Sequence, residues 1–201
     1  MTRRGSRLNI ASVSTRGNRW LHWTNFIVAQ TSGASTTLTA GADSANATTA
    51  VIGESAKTFG ISGIGITTAK TLATFVGGLY DVDLTAPITL TWFYYCKTGM
   101  SDSDAIAHAT TIVKVSTASG TADDVSTDNA VAVSSSGSLT LTTAANDTVS
   151  IRSVTDTISA ANLAAYTNSN GMLISMTPTL TGASANEFIF QGLQMTYTVR
   201  V

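Results

Sequence analysis

The sequence predicts an all-β chain, an antiparallel β-sandwich or barrel. Segments rich in Val, Ile, Thr and aromatic residues follow one another through most of the 201 residues. Turn-forming pairs separate them: Ser32-Gly33, Gly77-Gly78, Thr98-Gly99, Ser119-Gly120, Ser136-Gly137, Asn146-Asp147, Asn170-Gly171 and Thr181-Gly182. Only Ser159 to Tyr166 has a helical pattern, so helix is nearly absent. Strands at this spacing build sandwiches and barrels.

The elements follow in order. Trp20 to Val28 reads as the first strand, and weaker runs lie at Ala50 to Ile52, Thr58 to Thr67 and Thr71 to Val76. The glycines of Gly60-Ile61-Ser62-Gly63-Ile64-Gly65 fit no nucleotide-binding fingerprint and read as a kinked strand or loop. In Pro87 to Thr98 the polar alternation collapses into Trp92-Phe93-Tyr94-Tyr95-Cys96. Both faces of that strand must then be covered, one by the core and the other by a partner or by a second layer of the same sandwich. Strands are expected at Ala105 to Thr117, Ala130 to Val133, Ser138 to Thr143 and Thr148 to Val154. In the short helix Asp156 or Thr157 would cap, with Leu163, Ala164 and Tyr166 inward. Asn170-Gly171 reads as a tight hairpin before Met172 to Leu180. Glu187 to Val201 alternates apart from one slip at Gln191-Gly192, which a glycine bulge would absorb.

Only 11% of residues are charged, against about 25% in ordinary domains, while Thr, Ala and Ser number 35, 27 and 23. Such short side chains lose little rotamer freedom on burial and suit large, flat contacts between rigid bodies. Charge is also segregated. Arg3, Arg4, Arg7, Arg16 and Arg19 precede the first acidic residue, Asp43, although the net charge is −1. The expected organisation is a basic arm over residues 1–19 and a single β-sandwich domain over residues 20–201. Within the arm, Arg4-Gly5-Ser6-Arg7 and Arg16-Gly17-Asn18-Arg19 repeat the pattern Arg-Gly-x-Arg, and guanidinium forks suit phosphate or carboxylate. The arm is therefore read as binding a negative partner surface, with Trp20, Trp23 and Trp92 as interface anchors.

The search for chemistry finds no set that persuades. Cys96 has no second cysteine with which to form a disulfide or a zinc cluster, and it reads as a core residue. His22 lies between two tryptophans and reads as a packed or interface histidine, while His108 near Asp102 and Asp104 lacks a nucleophile elbow. Asp81/Asp83, Asp102/Asp104 and Asp123-Asp124 to Asp128 read as turn aspartates and lack the spacing of a calcium loop. No enzyme activity, metal or cofactor is expected. The residues after Arg7 form no unbroken apolar stretch, so neither a secretory signal nor a transmembrane helix is read, and synthesis in the cytosol is expected.

A short basic arm followed by a Thr/Ser/Ala-rich β-body without a catalytic set resembles the jelly-roll decoration, minor capsid and tail proteins of tailed bacteriophages. The resemblance rests on layout and composition. It implies a jelly-roll-like antiparallel sandwich with an extended basic N-terminal arm, assembled as a homo-oligomer such as a trimer and located in the virion. It also implies docking on a major capsid or tail protein. Viral coat proteins are similar in plan and would place the arm on packaged nucleic acid. A carbohydrate-binding β-module, with Tyr94 or Trp92 as sugar platforms, is the other class the residues allow.

Overall fold

In Ile88–Cys96 every second side chain is buried, and this two-residue period shows how the chain is layered. The computed structural model describes residues 16–30, 35–36, 48–52, 59–66, 70–96, 103–116, 130–135, 139–140, 150–183 and 188–200. Its strands are β1 (Arg16–His22), β2 (Ile27–Gln30), β3 (Ser35–Thr36), β4 (Thr48–Ile52), β5 (Phe59–Gly65), β6 (Lys70–Val76) and β7 (Ile88–Cys96). They continue with β8 (Ala105–Val115), β9 (Ala130–Ala132), β10 (Ser134–Ser135), β11 (Leu139–Thr140), β12 (Ser150–Ile158), β13 (Gly171–Thr181) and β14 (Phe188–Thr198). One short helix, α1 (Ala160–Leu163), lies between β12 and β13.

Among the described residues these strands form two antiparallel sheets, a β-sandwich. Sheet A runs β10-β12-β7-β14-β5-β4, and β1 shares the free side of β14 with β5. Sheet B runs β11-β8-β13-β6-β2-β3, with β9 beside β11 on β8. The core lies between them, centred on Phe26, Trp92, Tyr94, Phe188 and Phe190, all at most 2% exposed. Phe26 meets Phe190 edge-on at 4.7 Å and Trp92 at 6.0 Å. Burying each large side chain contributes about 1.5–3 kcal/mol, and the ring geometry adds about 0.5–1.5 kcal/mol per pair.

The bulge expected in the last strand is present, since the pairing of β14 with β7 shifts register between Phe190 and Gly192. Other expectations change. The run from Trp20 to Val28 is not one strand: β1 ends at His22, a 3-10 turn spans Trp23–Asn25, and β2 belongs to the opposite sheet. The break lets Trp23 and Phe26 both turn inward, and His22 Nδ1 caps it by accepting from the Thr24 amide at 3.4 Å. Helix α1 is capped by Ser159, whose Oγ accepts from Asn162 N at 3.3 Å. Asp156 and Thr157 cannot cap it because β12 continues through Ile158 and turns Asp156 into the core. Leu163 and Tyr166 face inward as expected, but Ala164 is exposed. Asn170-Gly171 is not a hairpin between paired strands. Asn170 closes a turn on Thr167 and Gly171 starts β13, where a Cβ would stand 2.4 Å from the Phe75 ring.

Candidate functional site

Strand β1 is built by alternation into two different surfaces. Arg16, Asn18, Trp20 and His22 are exposed on the outer face of sheet A, while Gly17, Arg19 and Leu21 are partly covered. Gly17 is required by the ring behind it, because a Cβ there would lie 2.6 Å from Tyr197 Cε2. Arg19 lies over that ring, with Cζ 5.5 Å from its centroid, and its guanidinium pairs with Asp81. It also donates to the carbonyls of Gly77 and Gly78, at 3.3 and 3.1 Å. The Tyr197 hydroxyl donates to the other oxygen of Asp81. Burial acts to raise the Asp81 pKa, but the Tyr197 bond, its own backbone amide and Arg19 outweigh this and hold the carboxyl below its ordinary 3.8. Burial, then the bond to Asp81, raises Tyr197.

The same end of the sandwich is tied by further bonds. Asp83 N donates to Thr198 O and Arg200 N to Asp81 O, both at 2.9 Å. Asn168 donates to the Leu79 and Val82 carbonyls, and Arg200 donates to Asn168 Oδ1. The second Arg-Gly-x-Arg unit is thus a strand whose Arg19 clamps the β6–β7 connection, and Arg16 is left exposed at its start. Arg16 lines an open cleft of about 290 Å³ with Pro87, Thr89, Thr196, Tyr197 and Thr198. Arg3, Arg4 and Arg7 lie outside the described residues.

On sheet A's outer face Trp20 is 52% exposed, and its ring crosses β14 to reach Phe93 of β7, centroid to centroid 5.1 Å at 48°. Gly192 permits the crossing. A Cβ there would stand 2.7 Å from the Leu21 carbonyl oxygen and 2.9 Å from Trp20 Cζ2. Register places Trp20, Gln194, Thr91 and Thr155 in one row, and Asn18, Thr196, Thr89 and Thr157 in the next. Thr196 Oγ1 donates to Asn18 Oδ1 at 2.7 Å.

Sheet B's outer face is different. Its rows run Val113–Leu173–Phe75, Thr111–Ser175–Ala73–Ile27 and Ala109–Thr177, without a charged residue. Hydroxyl pairs knit it, Thr111 to Ser175 at 2.6 Å and Thr71 to Thr177 at 2.9 Å.

The interior holds polar chemistry of its own. Asp156 is fully buried, and its Oδ2 accepts from Trp92 Nε1 at 2.7 Å and from Thr110 Oγ1 at 2.6 Å. The His108 side chain is buried beside it: Nε2 meets the Tyr94 hydroxyl at 2.6 Å and Nδ1 lies 3.9 Å from Asp156 Oδ2. Burial, then the Asp156 charge, pushes the Tyr94 phenol well above its usual pKa. His108 therefore lies beside Asp156, a residue far from it in sequence, while Asp102 lies outside the described residues.

Of the expected anchors, only Trp20 faces outward. Trp23 and Trp92 are 3% and 0% exposed, inside this chain's own core. Tyr94 is equally buried, so neither Trp92 nor Tyr94 can serve as a sugar platform; the outward aromatic residues of β7 are Phe93 and Tyr95. Sequence reasoning read Phe93, Gly192 and Asp156 as strand, bulge and cap residues and did not place them in a site. Asp156 had a signal, because it shares the inward parity of Val154 and Ile158. Among the described residues no three His, Cys, Asp or Glu side chains are grouped to hold a metal, and no helix is long and apolar enough to cross a membrane. No family model matches the chain, and neither does any curated protein.

Proposed function

We propose that the chain is a virion structural protein, a jelly-roll subunit that self-associates and docks on a capsid or tail through its basic amino-terminal residues. The observation that carries this reading is sheet B's outer face. The rows named above carry no charge, and they combine Ala, Thr and Ser with Phe75 and Ile27 exposed at 53% and 42%. A second copy of the same face fits it without stranding a charge, and short side chains lose little entropy when covered. The jelly-roll reading is supported by strand order: β12-β7-β14-β1 faces β9-β8-β13-β6, and taken in chain order these eight strands change sheet at β1–β6, β6–β7, β7–β8, β9–β12, β12–β13 and β13–β14. The docking cations are Arg3, Arg4, Arg7 and Arg16, with Arg19 reserved for the clamp.

The test is native mass together with the 260/280 nm absorbance ratio at low and high salt. A small oligomer free of nucleic acid supports the reading. A monomer at every concentration overturns self-association. Nucleic acid released by salt would replace docking on protein with a shell-forming coat whose arm meets the genome. Replacing Arg3, Arg4, Arg7 and Arg16 together by Ala should remove the protein from particles while leaving its fold intact.

A further inference from the structure

We infer that the outer face of sheet A binds a neutral oligosaccharide, with Trp20 as the stacking platform. A large aromatic side chain left half exposed normally has a partner or is a liability. Trp20 is not a loosely held side chain. Its indole lies down over Gly192 and rests against Phe93, in a space that any Cβ at position 192 would close. The sheet is thus shaped to present an indole plane to the outside.

The surrounding chemistry selects the ligand class. A sugar ring has an apolar C–H face that packs on an aromatic plane and an edge of hydroxyls that both donate and accept. The rows beside Trp20 offer groups of the same dual kind: the amides of Gln194 and Asn18 and the hydroxyls of Thr91, Thr89 and Thr196. No charged residue stands in these rows, so the platform itself selects a neutral ring, and Arg16 at the end of the path is the one cation among the described residues that line it. The surface also has length. The cleft beside Arg16 shares Thr89 and Thr196 with the second row, so platform and cleft form one continuous path. Trp20 and Arg16 are four strand residues apart, roughly 13 Å at a rise of about 3.3 Å per residue. That is room for more than a single ring, and Arg16 closes the far end as a hydrogen-bond donor. At about 290 Å³ the cleft lies at the small end of ligand sites.

The site lies on the opposite side of the sandwich from the proposed self-association face; it shares only Arg16 with the proposed docking cations, and substitutions at Trp20 leave Arg16 in place, so the two readings fail separately. The test uses the full chain in affinity electrophoresis through gels containing dextran, laminarin, mannan or galactan, followed by an array of neutral and acidic oligosaccharides. Retardation by at least one neutral polysaccharide is expected. Trp20→Ala should weaken it about tenfold or more, as loss of a Trp anchor does, while Trp20→Phe retains part of it. Trp23 and Trp92 are buried, so a saccharide-dependent change in tryptophan emission should vanish in Trp20→Phe. Three outcomes overturn the inference: no neutral saccharide binds, only acidic glycans bind, or Trp20→Ala binds as well as the parent. A parent dimer that Trp20→Ala converts to monomer would also overturn it, by assigning the platform to a second copy. An unchanged urea midpoint for Trp20→Ala separates lost binding from lost folding.

Discussion

The two outer faces of the sandwich are both poor in charge, but they are made differently. Sheet A's face carries an indole laid over a glycine, amides, and hydroxyls in register, with a cleft beside Arg16. Sheet B's face has Ala, Thr and Ser whose hydroxyls are partly paired with each other, and its own ring over a glycine, Phe75 above Gly171. The first has features that select a small ligand by shape and hydrogen bonding. The second spends hydroxyls on one another and exposes Phe75 and Ile27, which suits a broad contact with another uncharged surface. Low charge alone therefore says little about use; what stands on the face decides it.

The largest expected effect tests whether the faces belong to one cooperative body. Asp156 of sheet A accepts from Thr110 of sheet B and from Trp92, so the network stitches the layers. Asp156→Ala strands buried donors beside His108 and should cost about 3–5 kcal/mol in urea unfolding. Amide exchange should rise in both sheets, and protection lost from one sheet alone would mean that the faces are independent. Next, Ala109→Lys places like charges across a self-complementary contact on sheet B. It should shift native mass toward the monomer at least tenfold in concentration while moving the urea midpoint little. The same oligomer at the same concentration would transfer self-association to another surface.

A smaller effect is expected where sheet A is pinned. Gly17→Ala drives a methyl into Tyr197 and should cost about 1–3 kcal/mol, read as a lowered urea midpoint. A neutral result would mean that Tyr197 and Arg19 are free to move aside. The smallest is a pH effect. Asp81 titrates below its ordinary 3.8, so its pairing stabilises the fold above that value and is lost as pH falls through the lowered one. Asp81→Asn should remove that acid-dependent part, under about 1 kcal/mol because the pair is largely exposed, in urea midpoints compared between pH 5 and pH 3. Asp83, lowered by its bonds from Thr85, contributes in the same direction in both proteins.

Alternation and turn chemistry made the strands legible, including the bulge at Gln191-Gly192, because both are local properties. The break after His22 was hidden, since a run of Trp, Phe and Ile reads as strand whether or not it changes sheet halfway. The arginines were read as one arm by their charge. Their fates divide by partners distant in sequence: Asp81 and Tyr197 claim Arg19, and Arg16 stays outside. The three tryptophans show the same limit, because parity along a strand tells which residues share a face and not which face is inside. Asp156 shows the converse. Its parity with Val154 and Ile158 marked it as inward, but only Trp92 and Thr110, brought in from other strands, explain how a carboxylate is accommodated there.

The pairing of β1 with β14 has a kinetic side. Arg16 sits opposite Thr198, so the earliest described strand has its partner almost at the far end of the chain. During synthesis β1 must wait until β14 has been made, and Arg19 must wait for Tyr197. Closing so distant a contact is slow, in the millisecond-to-second range typical of all-β topologies. Until then Trp20 has no Gly192 beneath it and Arg19 has no Tyr197 ring, so the platform and the clamp both depend on the one pairing of β1 with β14.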